Sequence, residues 1–516
     1  MVKSPEELVS LSGQLFKGQA QMLGLYQTLA DNFYPERADF TTVRNVGTEL
    51  ADQLVSSSPV LMRRDLGNSL GAMLRDGDWF KIGVDDKIDL AGEQWLEWAT
   101  NKYRKILYAR GGNFVRSTSE GDHDYITFGQ AVLSQERNRK ADGILTRNWH
   151  LRDVAWCDGV DGQTECVSRK WQPTNYDLIK YFGDNVHPII KEDVKEKPFG
   201  LTDIRHIVMP SDMYGKFEDR FPYVSCFIDV KHQHILEAVG INNKYYIVPR
   251  FQTIAGSPYA YSPATVAGLP DARTLQAMTY TLLEAGERYT RPPLLATQNV
   301  VRGDVDLSAD GITWLDKEYD EKTGAGLRPL MQNTGGFPIG LGLRDDILNI
   351  LSSAFYLNKI TLPDLGHEMT AYETRERMKQ FRRENLPLFA PIEAEYNGML
   401  CETGFDICMR AGFFGSPHDI PKSLQGRDIV FKFESPLSLS NEEEKANQFS
   451  ETSRMLAEAS QMRENVADNL NFDEAFRDAL KGTGAPSTWL RSKEFVESKR
   501  ENTRQMQEAQ MQQEGG

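Results

Sequence analysis

Histidine and cysteine are the residues best suited to metal binding or nucleophilic chemistry, and in this chain their spacing builds no site for either. His232 and His234 stand two apart, a spacing that puts both on one face of a strand, where they read as ordinary polar histidines. His367 opens "HEMTA", which lacks the second histidine of a zinc-binding HExxH. Cys157, Cys166, Cys226, Cys401 and Cys408 form no CxxC pair and read as buried thiols rather than a disulfide framework or a metal site. Cys401 and Cys408, seven apart in a helical pattern, share a helix face. "DVDLSADG", 304–311, resembles a calcium loop, but its glycine comes too late and Leu315 stands where the bidentate glutamate belongs. There is no GxxxxGK[ST] loop to cradle phosphates and no GxSxG elbow. Acids are plentiful, yet their order alone pairs none of them in one pocket. No catalytic residue, metal ligand or cofactor follows, and an enzyme is the weaker reading.

Composition sets the remaining bounds. The chain has 516 residues, 40 % of them hydrophobic, enough for two to four folded domains with sizeable cores. No window supplies the roughly 20 apolar residues of a membrane span. The opening "MVKSPEELVSLSGQLF" carries acids where a signal peptide has a basic head, so the expectation is a soluble protein retained where it is made. With 59 basic and 74 acidic residues the net charge is −15. Static nucleic-acid binders gain affinity by placing lysine and arginine on phosphates, so this balance opposes that role, though not a protein that DNA passes without sticking.

The elements that would position a functional surface come next. Apolar residues at helical spacing predict a helix over 5–33, stopped by Pro35 in "FYPERADF", a second over about 45–74 and a third over about 90–109. After Gly111 the pattern turns strand-like through "YITFGQAVLSQERN", "VAWCDG", "TECVSRKWQ", "IRHIVMP", "YVSCFIDV" and "KYYIVPRFQ". The fold class expected is α+β, mainly helical: helices first, then an antiparallel sheet system. From Pro270 a helix with a proline and an acid in its first turn runs to Tyr289, where "RPP" stops it. Residues 292–338 form a small β-rich island, and a second helix covers 343–360. Helix, insert and returning helix make a two-helix stalk with a tip. Leu275, Met278 and Leu282 on one helix and Ile347, Leu351 and Ala354 on the other are the candidate packing residues. Beyond lie a loop at 361–369, a charged helix at 370–385, a helix at about 388–412, a strand at "RDIVFKFESP" and a helical, charged 441–508 with a frayed polar tail.

Seven stretches now fall in a recognisable order: "FYPERADF"; "RRDLGNSLGAML" closing on Trp79 and Phe80; "STSEGDHDYITFGQAVLSQE" with Asp124 and Gly129; "YIVPRFQTIAGSPYAYSPATVAGLPDARTLQ" with "RPPL"; "EMTAYETRERMKQ"; "FESPLSLSNEEEKANQF"; and "APSTWLRSKEFVESKRENTRQ". In this order, over nearly the whole length, the chain resembles the portal proteins, or head-to-tail connectors, of short-tailed double-stranded-DNA bacteriophages. Ala260 and Tyr261 stand where that family often has glycine and arginine.

The resemblance implies a non-enzymatic ring of about twelve copies around a DNA channel. It implies a wing over 1–262 and 372–439, stem helices over 263–291 and 339–360, a clip over 292–338, a tunnel loop over 361–371 and a crown over 440–516. Its tunnel loop would bring Lys359, Thr361, Asp364, His367 and Glu368 to the DNA; Lys359 and His367 either touch phosphates in passing or are ordinary solvated residues. Its clip would offer Asp304, Asp306, Asp310, Trp314, Lys317, Glu318 and Arg328 to the terminase large subunit and then to tail adaptor proteins. Major capsid and scaffolding proteins complete the implied partners, with no membrane and no cofactor. The basic run Arg375, Arg377, Lys379, Arg382 and Arg383 is interleaved with Glu373, Glu376 and Glu384, which reads as ion pairing before DNA contact. Another ring-forming head–tail adaptor, or a cytoplasmic hydrolase with an unrecognised carboxylate site, are the alternatives.

Overall fold

A computed structural model describes residues 4–290 apart from 46, 52, 76, 87, 139, 141 and 216–220, then 294–296, 327–329, 336–360, 392–433, 439–462, and 470–514 apart from 484. In chain order its elements are α1 (Pro5–Phe33), α2 (Ser58–Leu74), β1 (Phe80–Gly83), α3 (Leu90–Leu107), α4 (Phe114–Phe128), β2 (Leu133–Arg137), β3 (Ile144–Asn148), β4 (Val154–Asp158) and β5 (Thr164–Trp171). Then follow α5 (Asn175–Phe182), α6 (Pro188–Glu196), β6 (Ile204–Pro210), the one-turn α7 (Ser211–Tyr214), β7 (Tyr223–Asp229), β8 (His234–Ile241) and β9 (Tyr246–Ile247). The rest comprises α8 (Leu269–Thr290), β10 (Leu294–Ala296), β11 (Leu327–Pro329), α9 (Gly336–Ala354), α10 (Leu357–Ile360), α11 (Met399–Arg410), β12 (Val430–Phe433), α12 (Leu439–Met462), α13 (Phe472–Gly482) and α14 (Lys493–Glu514). The chain is mostly helical with several sheets. It divides into two compact units, one of residues 1–25, 66–262 and 359–516, the other of residues 26–65 and 263–358.

The first unit is built around a five-stranded antiparallel sheet in the order β4-β5-β6-β7-β8. Strand side chains alternate between faces, so each face has its own core. Leu8 and Leu15 of α1 cover one face, against Ala155, Cys166, Ile207, Val224 and Ile228. Leu178, Phe182 and Ile190 of α5 and α6 cover the other, against Ile204, Phe227 and Leu236. A third core joins distant parts of the chain: Trp79, Phe80 and Ile82 of β1 and Leu96, Ala99 and Tyr103 of α3 pack with Cys401, Phe405 and Cys408 of α11. There β1 pairs with β12, Phe80 opposite Phe433. In α12 and α13, Phe449 lies 5.4 Å from Phe472 and 5.9 Å from Phe476. Asp89 caps α3, accepting the Gly92 N–H at 2.9 Å. The Ser423 hydroxyl and that N–H hold its carboxyl below the ordinary range.

Several expectations are corrected. The described residues of 45–57 are turns, bends and irregular backbone, and α2 begins only at Ser58. Leu50 and Val55 stay exposed, so no core rewards a helix there, and the Gln276 side chain accepts the Val55 and Ser56 N–H groups. "YITF" ends the helix α4 rather than starting a strand; Tyr125, Ile126 and Phe128 are all buried, which erases the periodicity that separates the two. Helices α5 and α6 interrupt the expected strand series. The helix expected over 343–360 starts at Gly336 and breaks after Ala354. The helix expected to reach Gly412 begins as a π-helical stretch, Ile392–Gly398, and its α part ends at Arg410. The polar tail is helical to Glu514. The helix expected over 370–385, with its basic run, lies outside the described residues.

Sequence reading also missed a buried ion pair. Arg75 and Asp122 meet at 2.7 Å with side chains 5 % and 3 % exposed. Arg75 Nε donates to Asn397 Oδ1 at 3.0 Å, and the guanidinium lies 4.5 Å over the Tyr396 ring. Burial is the largest influence on Arg75 and works against its charge, but the Asp122 carboxylate, Tyr396 and Tyr108 together outweigh it and the Arg75 pKa rises. On Asp122 burial outweighs the arginine, and its carboxyl also lies above the ordinary value. Removing one partner strands a buried charge, so Asp122→Ala should cost about 3–5 kcal/mol in denaturant unfolding, while Arg75→Met with Asp122→Leu should cost less than the single change. Loss of the exposed cap in Asp89→Ala should cost about 1 kcal/mol in the same assay.

Candidate functional site

The second unit holds the stalk. Helices α8 and α9 run antiparallel: at one end a Cβ on Gly340 would lie 2.8 Å from Leu282 Cδ2, and at the other a Cβ on Gly268 would lie 3.2 Å from Phe33 Cζ and 3.3 Å from Phe355 Cε2. A π-helical turn, Ala264–Gly268, leads into α8. Burial is concentrated at that end. Ala264, Ala272, Leu275, Leu351 and Phe355 are buried, with Phe33 5.4 Å from Phe355. Beyond Leu275 no residue of α8 is buried. Tyr280, Leu283, Tyr289, Ile339, Leu343 and Ile350 are each more than half exposed. The two helices carry Arg273, Arg288 and Arg344 against Asp271, Glu284, Glu287, Asp345 and Asp346. Arg288 pairs with Glu284 at 3.6 Å and Arg344 with Asp345 at 3.0 Å.

Amide side chains tie irregular backbone to this base. Besides accepting two N–H groups, Gln276 donates to the Ser56 carbonyl at 2.7 Å. Gln27 accepts the Phe40 and Thr41 N–H groups at 2.9 and 3.0 Å and donates to the Ala38 carbonyl. Buried Arg63 donates to the Phe33 carbonyl at 3.1 Å and lies 3.9 Å over the Tyr34 ring. These bonds satisfy backbone groups that neither helix nor sheet reaches.

In the first unit, the stretch before the stalk is clamped by the end of α4, the two residues after it and β4. Gly129, at φ 81°, ends α4, and a Cβ there would sit 2.6 Å from the Tyr261 carbonyl carbon. The Phe251 N–H donates to the Gly129 carbonyl at 2.8 Å, the Ala260 N–H to Gln130 Oε1 at 2.7 Å, and the Ser262 hydroxyl to the Thr127 carbonyl at 2.7 Å. Trp156 Nε1 donates to the Pro258 carbonyl at 2.9 Å, and its ring lies 4.7 Å from that of Tyr259. Arg250 pairs with Asp158 at 2.7 Å. Two of the seven segments that carried the likeness are thus one physical unit: "ITFGQ" holds "RFQTIAGSPYAYS".

Leu275 and Leu351 are buried, and Met278, Leu282, Ile347 and Ala354 half-buried. Lys359 lies on the backbone of α10, while Thr361, Asp364, His367 and Glu368 lie outside the described residues. So do Asp304, Asp306, Asp310, Trp314, Lys317 and Glu318, and the calcium-like loop with them. Arg328 stands on β11 opposite Leu295 of β10. Missed from sequence were Phe33 and Phe355, and Tyr356, whose φ of 56° breaks the second helix without a glycine or proline to signal it. His232 sits in the turn before β8, His234 opens that strand, and His187 stacks 4.6 Å from His232. Among the described residues no group of three or more His, Cys, Asp or Glu side chains could hold a metal ion, and no helix is long and apolar enough to cross a membrane.

A family model described as bacteriophage head to tail connecting protein matches residues 6–490. Over 531 aligned residues the chain is 20 % identical to the portal protein of Salmonella phage epsilon15, covering 98 % of this chain and 92 % of the relative.

Two substitutions test the anchors. Phe355→Ala empties the stalk base and should cost about 3–5 kcal/mol in chemical denaturation. Gly129→Ala combines a positive φ with a backbone clash and should cost more than about 2 kcal/mol by the same measurement.

Proposed function

This chain belongs to the bacteriophage head-to-tail connecting protein family, and from that premise we propose that it is the portal of a short-tailed double-stranded-DNA phage, a ring of about twelve copies around a DNA channel. The observation that carries the proposal is the exposed apolar shaft. Leu283, Tyr289, Ile339 and Leu343 face solvent on a helix pair whose buried residues, among those described, lie at its base. Exposed apolar patches mark interaction surfaces, and copies standing side by side in a closed head-to-tail ring would cover them. The stem is 263–291 and 339–360, the clip 292–338, the tunnel loop 361–371, the crown 440–516, and the wing 1–262 with 372–439.

In this reading the protein is not an enzyme. The ring occupies one capsid vertex, after assembly in the host cytoplasm among capsid and scaffolding proteins. Its clip docks the terminase large subunit, which supplies ATP hydrolysis, and later the tail adaptor. DNA enters through the channel during packaging and leaves through it at ejection. An excess of acids over arginines on α8 and α9 suits a conduit: phosphates meet few unpaired cations, so no counterion release fastens the DNA in place.

Native mass spectrometry and negative-stain imaging of the purified chain test this directly. A particle of several hundred kilodaltons or more with a central hole is expected; a compact monomer at every concentration would overturn the reading. Leu283→Asp with Ile350→Asp should dissociate the ring while circular dichroism keeps its helical signal, and intact rings would remove the shaft from the contact. Deleting Pro363 to Gly366 should leave assembly unchanged and alter packaging or retention of DNA, with unchanged packaged length counting against the tunnel-loop role.

A further inference from the structure

Cys157 and Cys166 stand directly opposite each other on the antiparallel strands β4 and β5. Neither is disulfide-bonded. Opposed Cα atoms in such a ladder are about 4.5 or 5.5 Å apart, both inside the roughly 4.4–6.8 Å span that a disulfide bridges. Both side chains belong to the apolar cluster on one face of the sheet. Cys157 lies on β4, the edge strand of the five-stranded sheet, and is half-buried; Cys166 is buried beneath it. A bulge follows at once, Asp158 pairing with Thr164, which ends the regular ladder beside the thiols.

The other cysteines have no such partner. Cys226 is on β7, two strands from β5 and so about 10 Å away. Cys401 and Cys408 are seven residues apart on α11, a rise of about 10 Å. Both distances exceed what a disulfide spans without backbone movement.

We propose that Cys157 and Cys166 form a reversible oxidation site, a dithiol that a small disulfide such as glutathione disulfide converts into a cross-strand disulfide at the edge of the sheet. The Cys157 thiol releases its proton to water, and its thiolate attacks one sulfur of glutathione disulfide. A Cys157–glutathione bond forms, and one glutathione thiolate leaves and takes up a proton. Cys166 then loses its proton to water and attacks the Cys157 sulfur. The Cys157–Cys166 bond forms as the second glutathione leaves. Two protein thiols are oxidised and one glutathione disulfide is reduced to two thiols. The order follows from the environment. The hydrogen bond from Cys166 draws Cys157 down to about 7, against burial and the nearby Glu165 and Asp158 carboxylates. That same bond, together with burial, pushes Cys166 well up. Burial pushes Cys226 up to about 12, which leaves it a thiol at neutral pH.

The full-length protein, purified reduced, is exposed to glutathione disulfide, quenched with iodoacetamide under denaturing conditions and mapped by peptide mass spectrometry. A Cys157–Cys166 linked peptide is expected, with Cys226, Cys401 and Cys408 alkylated, and dithiothreitol should restore all five thiols. Cys166→Ser should trap glutathione on Cys157, and Cys157→Ser should leave Cys166 unmodified. In native wild-type protein the alkylation rate of Cys157 should reach half its maximum near pH 7, and that midpoint should move upward in Cys166→Ala, which removes the donor, and stay low in Cys166→Ser, which keeps one. Five free thiols after exposure, or a glutathione adduct that persists on wild-type Cys157, would overturn the proposal.

Discussion

The stalk depends on burial at its base. Two helices that leave leucines, tyrosines and isoleucines in solvent along most of their length gain little from packing on each other, and isolated helices of this length are marginal in water. What holds α8 and α9 as a pair is burial at this end, where Phe33 and Phe355 meet under Gly268, a position where a Cβ would crowd both rings, and where Leu275 and Leu351 are also buried. Tyr356 is set at a positive φ just after this cluster, and the helix breaks there. A left-handed non-glycine residue is retained only where surrounding structure over-determines it; the burial of Phe355 is that determinant.

A second constraint acts in the first unit, up to Ser262. Glycine at 129 admits the 261–262 backbone to within a distance no side chain allows, and four hydrogen bonds from residues 127–130 and Trp156 then hold 251–262. The departure at Ala260 and Tyr261 fits within this clamp. Ala260 is fully buried and uses its backbone N–H, which any residue supplies, and Tyr261 donates its N–H to the Gln252 carbonyl. At 260 and 261 the clamp uses only main-chain N–H groups, so it does not require the arginine the family often carries.

Charge works differently in the two settings. Arg75 and Asp122 are both buried, and with Asn397 they join three segments of the first unit. On the stalk the arginines sit in solvent beside acids, where pairing contributes little stability but leaves little free positive charge.

Much of this architecture was legible in the residue order. The first helix, α3, α8 and strands β4 to β7 follow from apolar spacing and from the turn and cap residues at their ends. The family likeness was legible because its motifs are local runs. Elements buried on every side, such as the end of α4, lost their period and were misread. Amphipathic residues 45–57 were misread because helix formation there has no core to bury against. Propensity, charge balance, the lack of a phosphate loop and the stalk-with-insert order are properties of neighbours in sequence, and sequence alone determined them. The Phe33–Phe355 base, the Gly129 clamp, the Arg75–Asp122 pair and the Cys157–Cys166 pair were decided by tertiary structure. Each joins residues through register or packing across the fold, and no local spacing encodes which distant side chain arrives at van der Waals distance.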